Sequence, residues 1–116
     1  MSTRLPGAKY KCVFDRGRSV KGRLFVAWHL PSNDADRMAG VVVSRRSFRH
    51  AVDRNRAKRL LREAYRLLAK EGRAPEGTLW VFVGRAAMKG VACSEVMEEM
   101  ACLMSRVSRP KPSSSR

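Results

Sequence analysis

The residues with most chemistry to offer lie between positions 54 and 66, where Arg54, Arg56, Lys58, Arg59, Arg62 and Arg66 stand against a single acid, Glu63. On a helix the members spaced four apart form a ladder with about 6 Å between steps. That is close to the spacing of phosphates along a single strand. Like charges at this spacing repel and mildly destabilise the helix unless an anion arrives. A solvated face laced with ion pairs needs acids that this stretch lacks, apart from Glu63 opposite Arg59. Arg45, Arg46 and Arg49 extend the cationic set upstream. The chemistry is the binding of a polyanion.

Other reactive groups are sparse. His29 and His50 form an acid–base pair in principle, one at the end of an apolar strand pattern and one at the head of the basic helix. Asp34 and Asp36 fall in a turn, and Glu98 and Glu99 on a different helix, so no carboxylate cluster points to metal-dependent hydrolysis. Cys12, Cys93 and Cys102 are odd in number, far apart and without a C-x-x-C spacing. They read as plain thiols, neither a disulfide framework nor a zinc site.

The whole chain repeats the sign of the helix. Its 116 residues carry 25 Lys and Arg against 10 Asp and Glu, a net charge of +15, and a polyanionic partner is the usual reason for such self-repulsion. At 44% hydrophobic it still has apolar content for one core. No apolar run reaches membrane-spanning length, and the first residues show no signal or lipidation pattern, so the chain is expected in the cytoplasm. Nothing matches a zinc finger, a basic zipper or a helix-turn-helix. Tyr10, Phe14, Phe25 and Trp28 interleave with Arg16, Arg18, Lys21 and Arg23, a mixture of stacking faces and cations that favours RNA over DNA.

The positioning elements follow from periodicity. Ala8 to Arg16 reads as a short helix with Tyr10, Val13 and Phe14 on one side, stopped by Gly17. Val20 to Leu30 alternates as one strand, with Val20, Leu24, Val26, Trp28 and Leu30 on one face and Phe25, Ala27 and His29 on the other. Pro31 to Asp34 is a turn, and Gly40 to Ser44 a second, β-branched strand. A helix runs from Ala51 to about Lys70, with Ala57, Leu60, Leu61, Ala64, Leu67 and Leu68 on its apolar face and Gly72 behind it. Thr78 to Val83 is apolar throughout, as a strand covered on both faces is. Ser94 is the expected N-cap of a last helix, whose seam is Val96, Met100, Leu103 or Met104, and Val107. Glu95, Glu98 and Glu99 on that helix face away from the polyanion. Residues 1–107 form one RNA-binding domain, and 108–116 a disordered basic Pro/Ser tail.

The run Ala51-Val-Asp-Arg-Asn-Arg-Ala-Lys-Arg-Leu-Leu-Arg-Glu-Ala-Tyr-Arg66 closely resembles the signature helix of the bacterial ribonuclease P protein component. The resemblance continues in Tyr10-x-x-Val13-Phe14-x-x-Gly17, in Arg23-x-Phe25-Val26, in Gly40 through Arg46 and in the apolar strand ending at Gly84-Arg85. It covers about residues 8–107. It implies an α+β sandwich of order αβββαβα, with a small mixed sheet and a left-handed βαβ crossover holding the signature helix. It also implies a subunit role: a large RNA carries the catalysis, uses Mg²⁺ and removes the 5′ leader of precursor tRNA, with no catalytic residue in the protein. Carried over by position, Arg54, Asn55, Arg56, Lys58, Arg59 and Arg62 contact the RNA subunit. Tyr10, Phe14, Trp28, Ser44, Arg45 and Arg46 contact the single-stranded leader. Two positions depart from the pattern: Tyr10 replaces the usual Phe, adding a hydroxyl, and Asp53 replaces a basic residue and stands ready to cap the helix. Phe25 and Trp28 have opposite strand parity, so only one of them lines a common groove; the resemblance favours Trp28. The alternatives are a structural RNA binder of ribosomal type and a protein-only ribonuclease using His29 and His50.

Overall fold

The computed structural model describes residue 5 and residues 7–31, 38–74 and 77–108. In chain order they form α1 (Gly7–Arg16), β1 (Arg18–Lys21), β2 (Phe25–Pro31), β3 (Met38–Val42), α2 (Ala51–Lys70), β4 (Thr78–Gly84), a 3₁₀ turn (Ala86–Met88) and α3 (Cys93–Ser108). The α+β order is the one anticipated. The four-stranded mixed sheet is ordered β1-β2-β4-β3. The pairs β1–β2 and β2–β4 are antiparallel, and β3 and β4 are parallel, joined by α2. The all-apolar β4 is an inner strand, which explains its continuous hydrophobic run.

The expected single strand from Val20 to Leu30 is instead a hairpin. Its tip is closed by the Gly22 N–H donating to Phe25 O at 2.9 Å. The turn moves Val20 to the face packed by α2 and α3, while Trp28 and Leu30 face α1. What makes the turn is remote. The Glu99 carboxylate on α3 accepts from Leu24 N–H at 2.7 Å and Phe25 N–H at 3.3 Å. A Cβ on Gly22 would collide with that carboxylate. Removing the acceptor strands two backbone donors, so Glu99→Ala is expected to cost about 1–3 kcal/mol of stability, with Glu99→Gln intermediate; urea unfolding measures both.

Helix α2 has the expected bounds, and Gly72 takes φ +76 just past its end. His50 occupies its N-cap without a side-chain bond, so Asp53 is not the cap; it lies in the first turn, where its charge meets the positive end of the helix. Helix α3 begins at Cys93, so Ser94 is already inside it. Glu95 reaches back to accept from Ala92 N–H at 3.1 Å, supplying the capping that Ser94 was expected to give. Leu103 and Met104 are both buried on its seam.

The sheet divides the core. Phe25, Trp80, Phe82 and Ala27 lie under α2 and α3 with Leu61, Tyr65, Leu68, Val96 and Met100. On the other face the ten-residue α1 packs its Val13 over Leu79 and Val81 beside Leu5, with Trp28, Leu30, Val42 and Val83 partly buried, so that among the described residues part of that face is left uncovered. No helix among the described residues is long and apolar enough to cross a membrane. The turn after Pro31, with Asp34 and Asp36, lies outside the described residues, as do residues 109–116 of the expected 108–116 tail, whose first residue, Ser108, is instead the last of α3.

Candidate nucleic-acid interface

Helix α2 buries Ala57, Leu61, Ala64, Tyr65 and Leu68 and turns its cations outward. Between it and β3 lies a cleft of about 530 Å³, floored by Ala39 and Val41 and lined by Asn55, Lys58, Arg59, Arg62, Glu63 and Arg66. Glu63 pairs with Arg66, Nη2 to Oε2 at 2.6 Å, and not with Arg59. This hydrogen bond holds the Glu63 carboxyl below its ordinary range. An exposed pair of this kind contributes little stability, but it directs the one acid to the end of the ladder. Lys58, Arg59 and Arg62 then have no hydrogen bond or ion pair among the described residues. Three cations without an ion pair of their own sit around one cleft, beside the Glu63–Arg66 pair.

Arg54 and Arg56 behave differently. Arg54 Nη1 donates to Phe48 O at 3.0 Å and to Arg49 O at 3.2 Å. Arg56 Nη2 donates to Val91 O at 2.7 Å. Proximity on the sequence had grouped these two with their neighbours; their backbone partners, up to 35 residues away, carry no sequence signal. Ser44 accepts from Ser47 N–H at 3.2 Å, closing the turn that holds Arg45 and Arg46 exposed beyond the end of β3.

The uncovered sheet face carries the aromatic set. Phe14, 37% exposed, meets Trp28 edge-on with ring centroids 5.3 Å apart. The half-buried Val26, Val83 and Val42 form the adjacent cross-strand row. Phe25 points the other way, fully buried against Phe82 at 5.5 Å, so Trp28 is the one on the α1 face. The Tyr10 ring lies over Gly40, where a Cβ would collide with it, and its hydroxyl accepts from Val41 N–H at 3.2 Å. Strand β3 is a sheet edge. The added hydroxyl thus satisfies an edge donor that Phe would leave open. The valine row went unassigned in the sequence, although its alternation was visible.

The histidines do not meet. Helix α2 runs antiparallel to β4, with Leu61 beside Gly84 and Tyr65 beside Phe82. His50 therefore lies about 16 Å of helix beyond Gly84. His29, paired with Trp80, lies about 13 Å of strand in the opposite direction. Some 30 Å of separation, roughly the sum of those two spans, rules out joint action on one phosphate. Burial, and then the Arg18 cation, push the His29 imidazole below its ordinary value. The unfolded chain therefore binds the extra proton more readily. Stability is complete above the unfolded value of about 6.5 and falls as pH drops from there through the lowered folded value. Thermal melts across that window are expected to show the loss, and His29→Gln to flatten it.

Comparison with known proteins follows the same lines. The family model described as Ribonuclease P matches residues 5–108. The chain is 42% identical over 97 residues to the ribonuclease P protein component of Pelotomaculum thermopropionicum, covering 84% of each chain. It is 37% identical over 92 residues to that of an Exiguobacterium species, covering 79% of this chain and 77% of the relative. The RNase P protein from Thermotoga maritima superposes with a TM-score of 0.76 at 27% identity, over 89% of this chain and 96% of that one. The Staphylococcus aureus RNase P protein shares the fold at 20% identity, with a TM-score of 0.73 over 94% and 97%. The signature helix, the sheet order and these matches agree: the chain belongs to the ribonuclease P protein component family.

Proposed function

We propose that the chain is the protein subunit of a ribonucleoprotein endoribonuclease that removes the 5′ leader of precursor tRNA, with the catalysis carried by the RNA subunit. The observation that supports this best is a pair of surfaces on opposite sides of one sheet. One is the cationic cleft of Asn55, Lys58, Arg59 and Arg62 beside the Glu63–Arg66 pair, which suits the phosphates of a folded RNA; Arg54 and Arg56 lie on the same helix. The other is the uncovered face with Tyr10, Phe14 and Trp28, ended by Ser44, Arg45 and Arg46, which suits a single strand that stacks on aromatic rings. At +15 the protein relieves repulsion between catalytic RNA and precursor. The complex then needs less Mg²⁺ than the RNA alone. The Mg²⁺ ligands are assigned to the RNA, because among the described residues no three His, Cys, Asp or Glu side chains come together as a metal site.

The test is cleavage of a precursor tRNA at low Mg²⁺ by the protein, by a bacterial ribonuclease P RNA, and by the two together. Cleavage at the mature 5′ end only in the mixture is the expected result. An unstimulated RNA would leave a structural RNA binder, and cleavage by the RNA-free protein would make the protein itself the nuclease. Within the complex, Phe14→Ala is expected to weaken precursor binding by about 5- to 100-fold, the worth of one stacked base, and to leave mature tRNA unchanged. Equal weakening of both would remove the leader from this face.

A further inference from the structure

Phe48 is the centre of an arrangement that the cationic surface alone does not require. The residue is 1% exposed in the loop between β3 and α2, and the Lys89 ammonium stands 5.8 Å over its ring. Arg54, in the first turn of α2, holds the carbonyls of Phe48 and Arg49. Arg56 holds the carbonyl of Val91, in the loop between β4 and α3. A cleft of about 290 Å³ lies where the two loops meet, lined by Phe48, Asp53, Arg56, Met88, Lys89 and Gly90. Gly90 sits at φ +78, a conformation other residues resist. Both loops carry exposed cations at their tips: Arg45, Arg46 and Arg49 on the first, Arg85 and Lys89 on the second.

We infer that Arg54 and Arg56 are positioning residues: they clamp the loop before α2 and the loop between β4 and α3 around Phe48, so that Arg49 and Lys89 form one preorganised cationic rim for the catalytic RNA, with Arg45 and Arg46 held at the leader face by the same loop. This rests on the RNA-subunit reading above and divides its signature helix by role. Lys58, Arg59 and Arg62 face phosphate, whereas Arg54 and Arg56 face the chain's own carbonyls. A loop ordered before binding loses less entropy on binding. The guanidinium is suited to the task because its planar donors fix a direction that a lysine ammonium does not.

The two roles separate by salt dependence. A side chain that neutralises one phosphate contributes about 0.7–0.9 to the slope of log K against log salt, and one that orders a loop contributes nothing to it. Binding of a ribonuclease P RNA is to be titrated against salt for Arg54→Ala, Arg54→Lys, Arg56→Ala, Arg56→Lys and Arg59→Ala. Amide hydrogen exchange of residues 45–49 and 89–92 is read on the same proteins. The expected result is a roughly 2- to 10-fold loss of affinity for each Arg54 and Arg56 variant, lysine no better than alanine, with the slope unchanged and exchange faster in the clamped loop. Combining Arg56→Ala with Lys89→Ala is expected to cost less than the sum of the two. Recovery of affinity by lysine, or a slope lowered by about one contact, makes these arginines phosphate ligands and overturns the positioning role, leaving the proposed function standing. If Arg59→Ala and truncation of Lys58 and Arg62 leave RNA binding untouched, the RNA does not sit on this helix face and this inference falls, while the cleavage assay above decides the proposed function separately.

Discussion

Replacing Lys58, Arg59 and Arg62 together by alanine is expected to weaken binding of the catalytic RNA by about 100-fold at moderate salt and to lower the log–log salt slope by roughly 2–3. The three side chains line one cleft, and among the described residues none of them is paired with a carboxylate, Glu63 of the same cleft being held by Arg66, so each is free to displace counterions from a phosphate. Arg59 and Arg62 are exposed and Lys58 only half-buried, so the fold does not depend on their charges. Alanine is the best helix former and removes repulsion between like charges one turn apart. The melting temperature is therefore expected to hold or rise slightly. The measurement pairs RNA titrations at several salt concentrations with thermal melts. An unchanged slope would move the RNA off this helix face, and a large fall in melting temperature would make the three residues structural.

The largest effect on folding is expected from Gly17→Ala. This residue follows α1 at its closest approach to β2: its N–H donates to Val13 O at 2.8 Å, and a Cβ there would run into the carbonyl oxygens of both Val13 and His29. Both obstacles are backbone, so no side chain can swing aside. Overpacking of this kind costs about 3 kcal/mol, which for a domain this size is a fall in melting temperature of roughly 10–20 °C. The displaced element is the one that carries Tyr10 and Phe14, while the α2 cleft lies across the sheet. The folded fraction of the variant is thus expected to bind the catalytic RNA normally and to lose its preference for precursor over mature tRNA. A melting temperature within a degree or two of the parent would show that α1 stands farther from β2 than described.

Much of this was legible from residue order, for a physical reason. The bounds of α2, the burial of β4, the seam of α3 and the cationic ladder depend on periodicities and caps within about twenty residues. Local patterns carry such information in full. The signature Arg54-Asn55-Arg56 with Lys58-Arg59 was likewise local, and it led to the family. The alternation held only from Phe25 to Leu30; the pattern did not reveal that the chain turns back at Gly22 to Leu24, which puts Val20 and Leu24 on the face opposite Trp28.

Tertiary structure decided what depended on partners far away in sequence. Glu99, 75 residues from Leu24, holds the hairpin turn, and the packing of β2 between β1 and β4 decides that Phe25 is core and Trp28 faces α1. The Val41 N–H on a sheet edge gives the Tyr10 hydroxyl its role. Glu63 chose Arg66 over Arg59, and Arg54 and Arg56 turned to carbonyls on two neighbouring loops. Sequence alone determined that this protein carries a cationic helix and aromatics interleaved with cations, because charge and periodicity are properties of neighbours. Which cations remain free for a polyanion was settled only by folding, because a hydrogen bond depends on distances of about 3 Å that residue order does not contain.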